Sequence, residues 1–363
     1  MSPSAVRRLT EMGQSVWLDH AGRSFLCNGG LQGVIDEDAV SGVIFHPLRL
    51  RQALETDSRY AAEIAKLAAL SLTPTEIYDR IVADDARSVA DILLPIHERA
   101  HGRDGYISLP ASPHLAIDAD ALFWEAERLR TLIDRPNVMI QVPATDAGLH
   151  ASARLLEGGI CVDITDIFSV ERYSKVADVY FGALEKRLDA GHSIGEICAV
   201  ASFGVAQIDA ALDPKFEHSR ASHLRGRWGV ALAKAAHREY EARMKTFRAK
   251  LLSDRAAIPQ RLLWVGVNLT SADEIRYADA LAGRDTIVSL TLDALNAYRT
   301  RGEPSHRLGN DAQFAREVIA KLQSFGIDYG RVSAALETQA LRSANACYEA
   351  ALRYIANRMR CAA

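Results

Sequence analysis

Asp19, His46, Gln141 and Asp163 are the residues on which this chain could build chemistry. Each lies at the end of a short apolar run or within it: SVWLD (15–19), GVIFH (42–46), VMIQVPA (138–144) and CVDIT (161–165). A carboxylate in such a place can be tuned by burial to move a proton. A histidine titrates near neutrality and serves as acid or base. A glutamine amide is a poor nucleophile, but a buried one must be hydrogen-bonded, so Gln141 is expected to hold and polarise a substrate group. Thr165, Ser202, Gln207 and Asn268 add hydroxyls and amides at further run ends and would orient a substrate. His20, beside Asp19, should point the other way and be structural. Asp166 lies three residues beyond Asp163, so strand alternation puts it on the opposite face, where it reads as the cap of the next helix. Asp19, His46 and Asp163 are admissible ligands for a divalent ion. No HExxH or similar spacing accompanies them, and neither a metal nor a cofactor is expected.

The elements that must position these groups alternate. Eight β-type runs, at 15–19, 42–46, 106–111, 138–144, 161–165, 199–205, 262–267 and 286–290, are separated by amphipathic helical patterns. In DADALFWEAERLRTLID, Leu122, Phe123, Ala126, Leu129 and Leu132 recur at helical spacing, with Asp118 or Asp120 as the cap. Strands alternating with helices imply parallel pairing through helical crossovers. Eight units make a closed (β/α)8 barrel the leading α/β architecture, with a doubly wound open sheet as runner-up. In such a barrel the active site lies at the carboxyl ends of the strands, which would gather the residues named above. The expected organisation is an N-terminal extension (1–14), the barrel (15–307) and a C-terminal helical segment packing on it (308–363). Residues 50–103 hold extra helices between the second and third strands.

Composition narrows the partners. The 363 residues carry a net charge of −3, and aromatic residues make up 7% with no basic stripe between them, so no nucleic acid or anionic membrane partner is expected. No run reaches the roughly 18 apolar residues of a membrane span. The N-terminus lacks the apolar core of a signal peptide. Five scattered cysteines without a CxxC point to reduced thiols and a cytoplasmic setting. A small-molecule substrate is expected, and a homodimer is an admissible assembly.

Several stretches, in order, resemble bacterial transaldolase: GQSVWLDHAGRSFL, GRDGYISLPASPHLAIDADALFWEAERL, RPNVMIQVPATDAGLHA, GICVDITDIFSVERYSKVADVYFGALEKRLDAG, VASFGVAQIDAALD, LRGRWGVALAKAAHREYEARM and RLLWVGV. The resemblance covers nearly the whole chain. It implies a barrel of the class I aldolase type with extra helices, and descent from an enzyme that moves a three-carbon ketol unit between sugar phosphates. The family's fourth-strand lysine forms a Schiff base with the ketone. It falls in a segment resembling MIKIPAT, where this chain reads MIQVPAT, so Gln141 takes its place. The resemblance also sets Pro110 at a family glutamate, His46 at an asparagine, Asp163 at an asparagine, Gly204 at a bulky aromatic and Gln207 at the phosphate-binding arginine. Gly204 is expected to enlarge the pocket. The cationic stretch after the seventh strand reads GVNLT here. Asp19 matches the aspartate used for proton transfer, Thr165 and Ser202 match hydroxyl positions, and Phe168 and Ser169 continue an IFS motif.

None of the eight lysines falls in a strand run. The expectation drawn from these departures is an enzyme on a transaldolase scaffold without the Schiff-base lysine. It would run acid/base carbonyl chemistry (cyclisation, aldol or retro-aldol, dehydration or isomerisation) on a small, non-phosphorylated metabolite, as in specialised metabolism. A catalytically silent transaldolase-like binding protein is the alternative, and a true transaldolase ranks last.

Overall fold

A computed structural model describes residues 3–266, 270–310 and 312–362. Eight parallel strands close into a barrel in sequence order. They are β1 (Ser15–Asp19), β2 (Gly42–Ile44), β3 (Tyr106–Pro110), β4 (Val138–Pro143), β5 (Val162–Ile167), β6 (Ala199–Gly204), β7 (Arg261–Val265) and β8 (Ile287–Thr291). The expected (β/α)8 barrel is therefore the observed fold. The strands read as near-continuous apolar runs because both faces are covered, one by helices and one by the barrel interior.

Strand periodicity builds the interior in layers. Trp17, Tyr106, Met139, Cys161, Val200, Leu263 and Ile287 form one buried apolar cluster inside the barrel. Two residues further along each strand stand Asp19, Ser108, Gln141, Asp163, Ser202, Val265 and Ser289. The same face of these seven strands thus carries a packed floor and, toward the carboxyl end, a mostly polar layer. The floor is tight. A Cβ on Gly42 would lie 2.5 Å from the Trp17 ring, so only glycine lets β2 pass that indole. Below it, the Trp17 indole N–H donates to Asp104 at 2.8 Å, and Arg261 pairs with the same carboxylate at 3.5 Å.

Local signals set the helices that hold these strands. Asp118 caps Ala119–Ile133, its side chain accepting from the backbone of Asp120 and Ala121. Thr73 and Glu76 form a reciprocal capping box at the start of Pro74–Arg99, one of three helices between β2 and β3. The chain ends in Ala312–Ser324 and the long helix Tyr329–Ala362. This last helix packs on Pro47–Thr56 and brings Leu336, Ala340, Leu341 and Ala344 over the barrel mouth. Among the described residues, no helix is long and apolar enough to cross a membrane.

Candidate active site

A cavity of about 440 Å3 opens at the carboxyl end of the barrel. Asp19, His46, Gln141, Asp163, Thr165, Ser202 and Gln207 all line it, so the barrel brings these sequence-selected residues together. Asn268 lies outside the described residues. Gly204 does not line the cavity.

Asp163 is its buried centre. One carboxylate oxygen accepts from the Ser202 hydroxyl at 2.6 Å and the other from the Ser108 hydroxyl at 2.8 Å. Burial pushes the carboxyl up to about 6, although both serine bonds oppose the shift. Ser108 was missed in the sequence because it sits inside the apolar run YISLP. The strand period that puts Tyr106 inside the barrel also points Ser108 inward, and that signal could have found it.

Gln141 closes the network. Its amide nitrogen donates to the Ser108 hydroxyl at 3.1 Å and to the Phe45 carbonyl at 3.3 Å. A backbone carbonyl only accepts, so this contact fixes which end of the amide faces it. Both amide protons are then used, and what Gln141 has left for a substrate is its carbonyl oxygen. The expected polarisation of a carbonyl needs a donor, so the geometry corrects it: Gln141 can accept from a substrate hydroxyl.

Asp19 is buried, with one oxygen taking the Arg49 Nε–H at 3.0 Å. Its other oxygen has no hydrogen-bond partner among the described residues. His46 caps the helix Pro47–Thr56, its Nδ1 accepting from the Leu48 amide at 3.2 Å. Burial holds its pKa below the ordinary histidine value, with Asp19 opposing and Arg49 reinforcing that shift. Since Nδ1 accepts, the neutral ring carries its proton on Nε2. His46 is thus a neutral donor at the cavity wall, which corrects its expected part as an acid or base that moves protons. His20 packs its ring edge-on to Phe25, with centroids 4.8 Å apart.

Two expectations fail for local reasons. Gly204 does not enlarge the pocket, because the Phe168 ring fills the space: a Cβ there would lie 2.4 Å from it. Asp166 does not cap the following helix. Ser169 does, accepting from the Arg172 amide at 3.1 Å. The ladder between β5 and β6 shifts register between Ile164 and Ile167, and Asp166 adopts φ +61°. This bulge breaks the alternation and puts Asp166 on the cavity wall with Asp163.

Among the described residues, no lysine or arginine lines the cavity. Nor does any group of three His, Cys, Asp or Glu side chains form a nest for a metal ion. Gln207, on the helix Ala206–Phe216, presents a neutral amide whose oxygen is buried and has no hydrogen-bond partner among the described residues.

The family model for Transaldolase/Fructose-6-phosphate aldolase matches residues 16–355. The chain is 36% identical over 355 residues to a protein of Thiobacillus denitrificans named Transaldolase, covering 96% of this chain and 98% of the relative. It is 35% identical to one from Kocuria rhizophila (94% and 95% covered) and 34% to one from Neisseria gonorrhoeae (93% and 95% covered), both also named Transaldolase. These relatives overturn the sequence-based expectation about function. That expectation ranked a true transaldolase last, behind a divergent enzyme and a silent binding protein, on the strength of a few exchanged pocket positions. Identity at this level over almost the full length of each relative weighs the other way.

Proposed function

The chain belongs to the transaldolase/fructose-6-phosphate aldolase family, and from that membership we propose that it catalyses transaldolase-type chemistry: reversible aldol cleavage of a ketose and transfer of the ketol fragment to an aldehyde. One observation carries the reading. Asp19, Thr165 and Ser202, which the resemblance matches to the family's proton-transferring aspartate and hydroxyl positions, line a single cavity at the carboxyl end of the barrel.

In the cleavage direction, the unpartnered oxygen of Asp19 accepts the proton of the hydroxyl on the carbon that leaves as aldehyde. The carbon–carbon bond breaks, and its electron pair moves toward the ketone. Arg49 holds the other Asp19 oxygen and so fixes the carboxylate's orientation. In the transfer direction the same steps run backward on the acceptor aldehyde, and Asp19 returns the proton. The Gln141 nitrogen is conjugated with its own carbonyl and does not add to a ketone. In this proposal the electron pair therefore settles on the ketone oxygen, which takes a proton, and the transferred fragment is an enediol held by hydrogen bonds. Gln141, through its carbonyl oxygen, and Thr165 hold the fragment's hydroxyls.

The test is a transfer assay by NMR, with fructose 6-phosphate or unphosphorylated fructose as donor and a four-carbon aldose, phosphorylated or not, as acceptor. A seven-carbon ketose is the expected product. Its absence for every donor and acceptor pair, with enzyme at substrate concentration, would exclude the reading.

A further inference from the structure

Resting on the transaldolase-type reading, we propose that Asp166, which neither the sequence nor the resemblance selects for the site, is the general acid that protonates the ketone oxygen.

The bulge carries the argument. On a regular strand, residues three apart face opposite ways. Between Ile164 and Ile167 the pairing with β6 slips, and Asp166 turns into the left-handed region at φ +61°. Asp163 and Asp166 consequently line the same cavity. A non-glycine residue in that region is uncommon, costs about 1–3 kcal/mol and persists only where the surroundings over-determine it, and such residues cluster at functional sites. Aspartate tolerates the conformation better than most side chains.

Their environments divide the labour. Asp163 accepts two serine hydroxyls, an arrangement that favours its ionised form. The charged groups bearing on Asp166 are negative. Asp163 lies on its own strand, and Glu337 on the helix Tyr329–Ala362 is itself paired with Arg172 of the helix Val170–Asp189 at 3.3 Å. Burial is the largest cause lifting the Asp166 carboxyl, Asp163 and Glu337 add to it, and a bond from Thr165 opposes them; the result is about 7. Two neighbouring carboxylates with unequal surroundings supply one protonated and one ionised member near neutral pH.

The step balances. Asp19 takes the hydroxyl proton, the carbon–carbon bond breaks, its electron pair reaches the ketone oxygen, and that oxygen takes the Asp166 proton. The products are an aldehyde and an enediol. Enolisation of dihydroxyacetone needs the same protonation without an aldehyde. A carbon-bound proton leaves to the free oxygen of Asp19, which lines the same cavity, and the ketone oxygen again takes the Asp166 proton.

The experiment follows exchange of the carbon-bound protons of dihydroxyacetone into D2O by NMR, beside the transfer assay, for the wild type, Asp166→Asn and Asp166→Gly. Asparagine and glycine both tolerate the left-handed backbone, so both variants should fold. Asp166→Asn should slow exchange by roughly 100-fold or more, within the usual range for general acid catalysis. The wild-type rate should fall as pH rises through about 7, as the acid form is lost, and this limb should vanish in both variants. Exchange that depends on Asp166 without any transfer would sink the transaldolase-type reading and leave the acid in place. Exchange that keeps its rate and pH profile in Asp166→Asn overturns the inference, whatever the transfer assay shows. So does wild-type protein that exchanges nothing.

Discussion

The Ser108 hydroxyl donates to Asp163 at 2.8 Å while receiving the amide proton of Gln141 at 3.1 Å. One hydroxyl thus links a strand-4 amide to a strand-5 carboxylate inside the barrel. Ser108→Ala removes both bonds and leaves a buried donor and a buried acceptor each short of a partner. The expected cost is about 1–3 kcal/mol of unfolding free energy, read by chemical denaturation. Ser108→Thr, which keeps the hydroxyl, should lose less.

The stability carried by Asp163 depends on pH with a definite sign. Its folded value, about 6, lies above the ordinary 3.8. The folded state therefore binds this proton more tightly than the unfolded chain does. The resulting stability is present below about 3.8 and is lost as pH rises through about 6. Asp163→Asn removes the cost of the buried charge. Its unfolding free energy at pH 7.5 should exceed that of the wild type by about 2–3 kcal/mol, a gain that shrinks toward zero near pH 4. Denaturation curves at the two pH values check this, and a variant less stable at pH 7.5 would contradict it.

Gly204 and Phe168 share one volume. With a Cβ at 204 only 2.4 Å from the Phe168 ring, Gly204→Ala should destabilise by about 1–3 kcal/mol through overpacking. Adding Phe168→Leu should recover part of that loss, and the double-mutant cycle would show a coupling well above additivity.

Gln141→Lys sets an amine among the groups that hold the amide now, the Phe45 carbonyl and the Ser108 hydroxyl. Borohydride with dihydroxyacetone should then add the mass of a reduced adduct at residue 141, while the wild type stays unmodified. Intact-mass spectrometry reads both. An adduct on the wild type would show that another amine reaches the ketone, and the hydrogen-bonded enediol would have to be given up.

Much of this protein was readable along the chain because its signals are local. All eight strands follow from apolar runs within a few residues, and their alternation with helical patterns made a closed barrel the leading architecture over an open sheet, the closure itself being a tertiary fact. That Asp19, Gln141, Asp163 and Ser202 share a cavity follows from the rule that parallel barrels present the carboxyl ends of their strands at one mouth. Only the tertiary structure decided what those groups can do, since a role depends on which hydrogen-bonding capacity is already spent. The Phe45 carbonyl is 96 residues from Gln141 and turns it into an acceptor, and the Leu48 amide makes His46 a neutral cap. The bulge at Asp166 was out of reach for the same reason. It arises from how β5 pairs with β6, and a strand read alone carries no record of its partner's register.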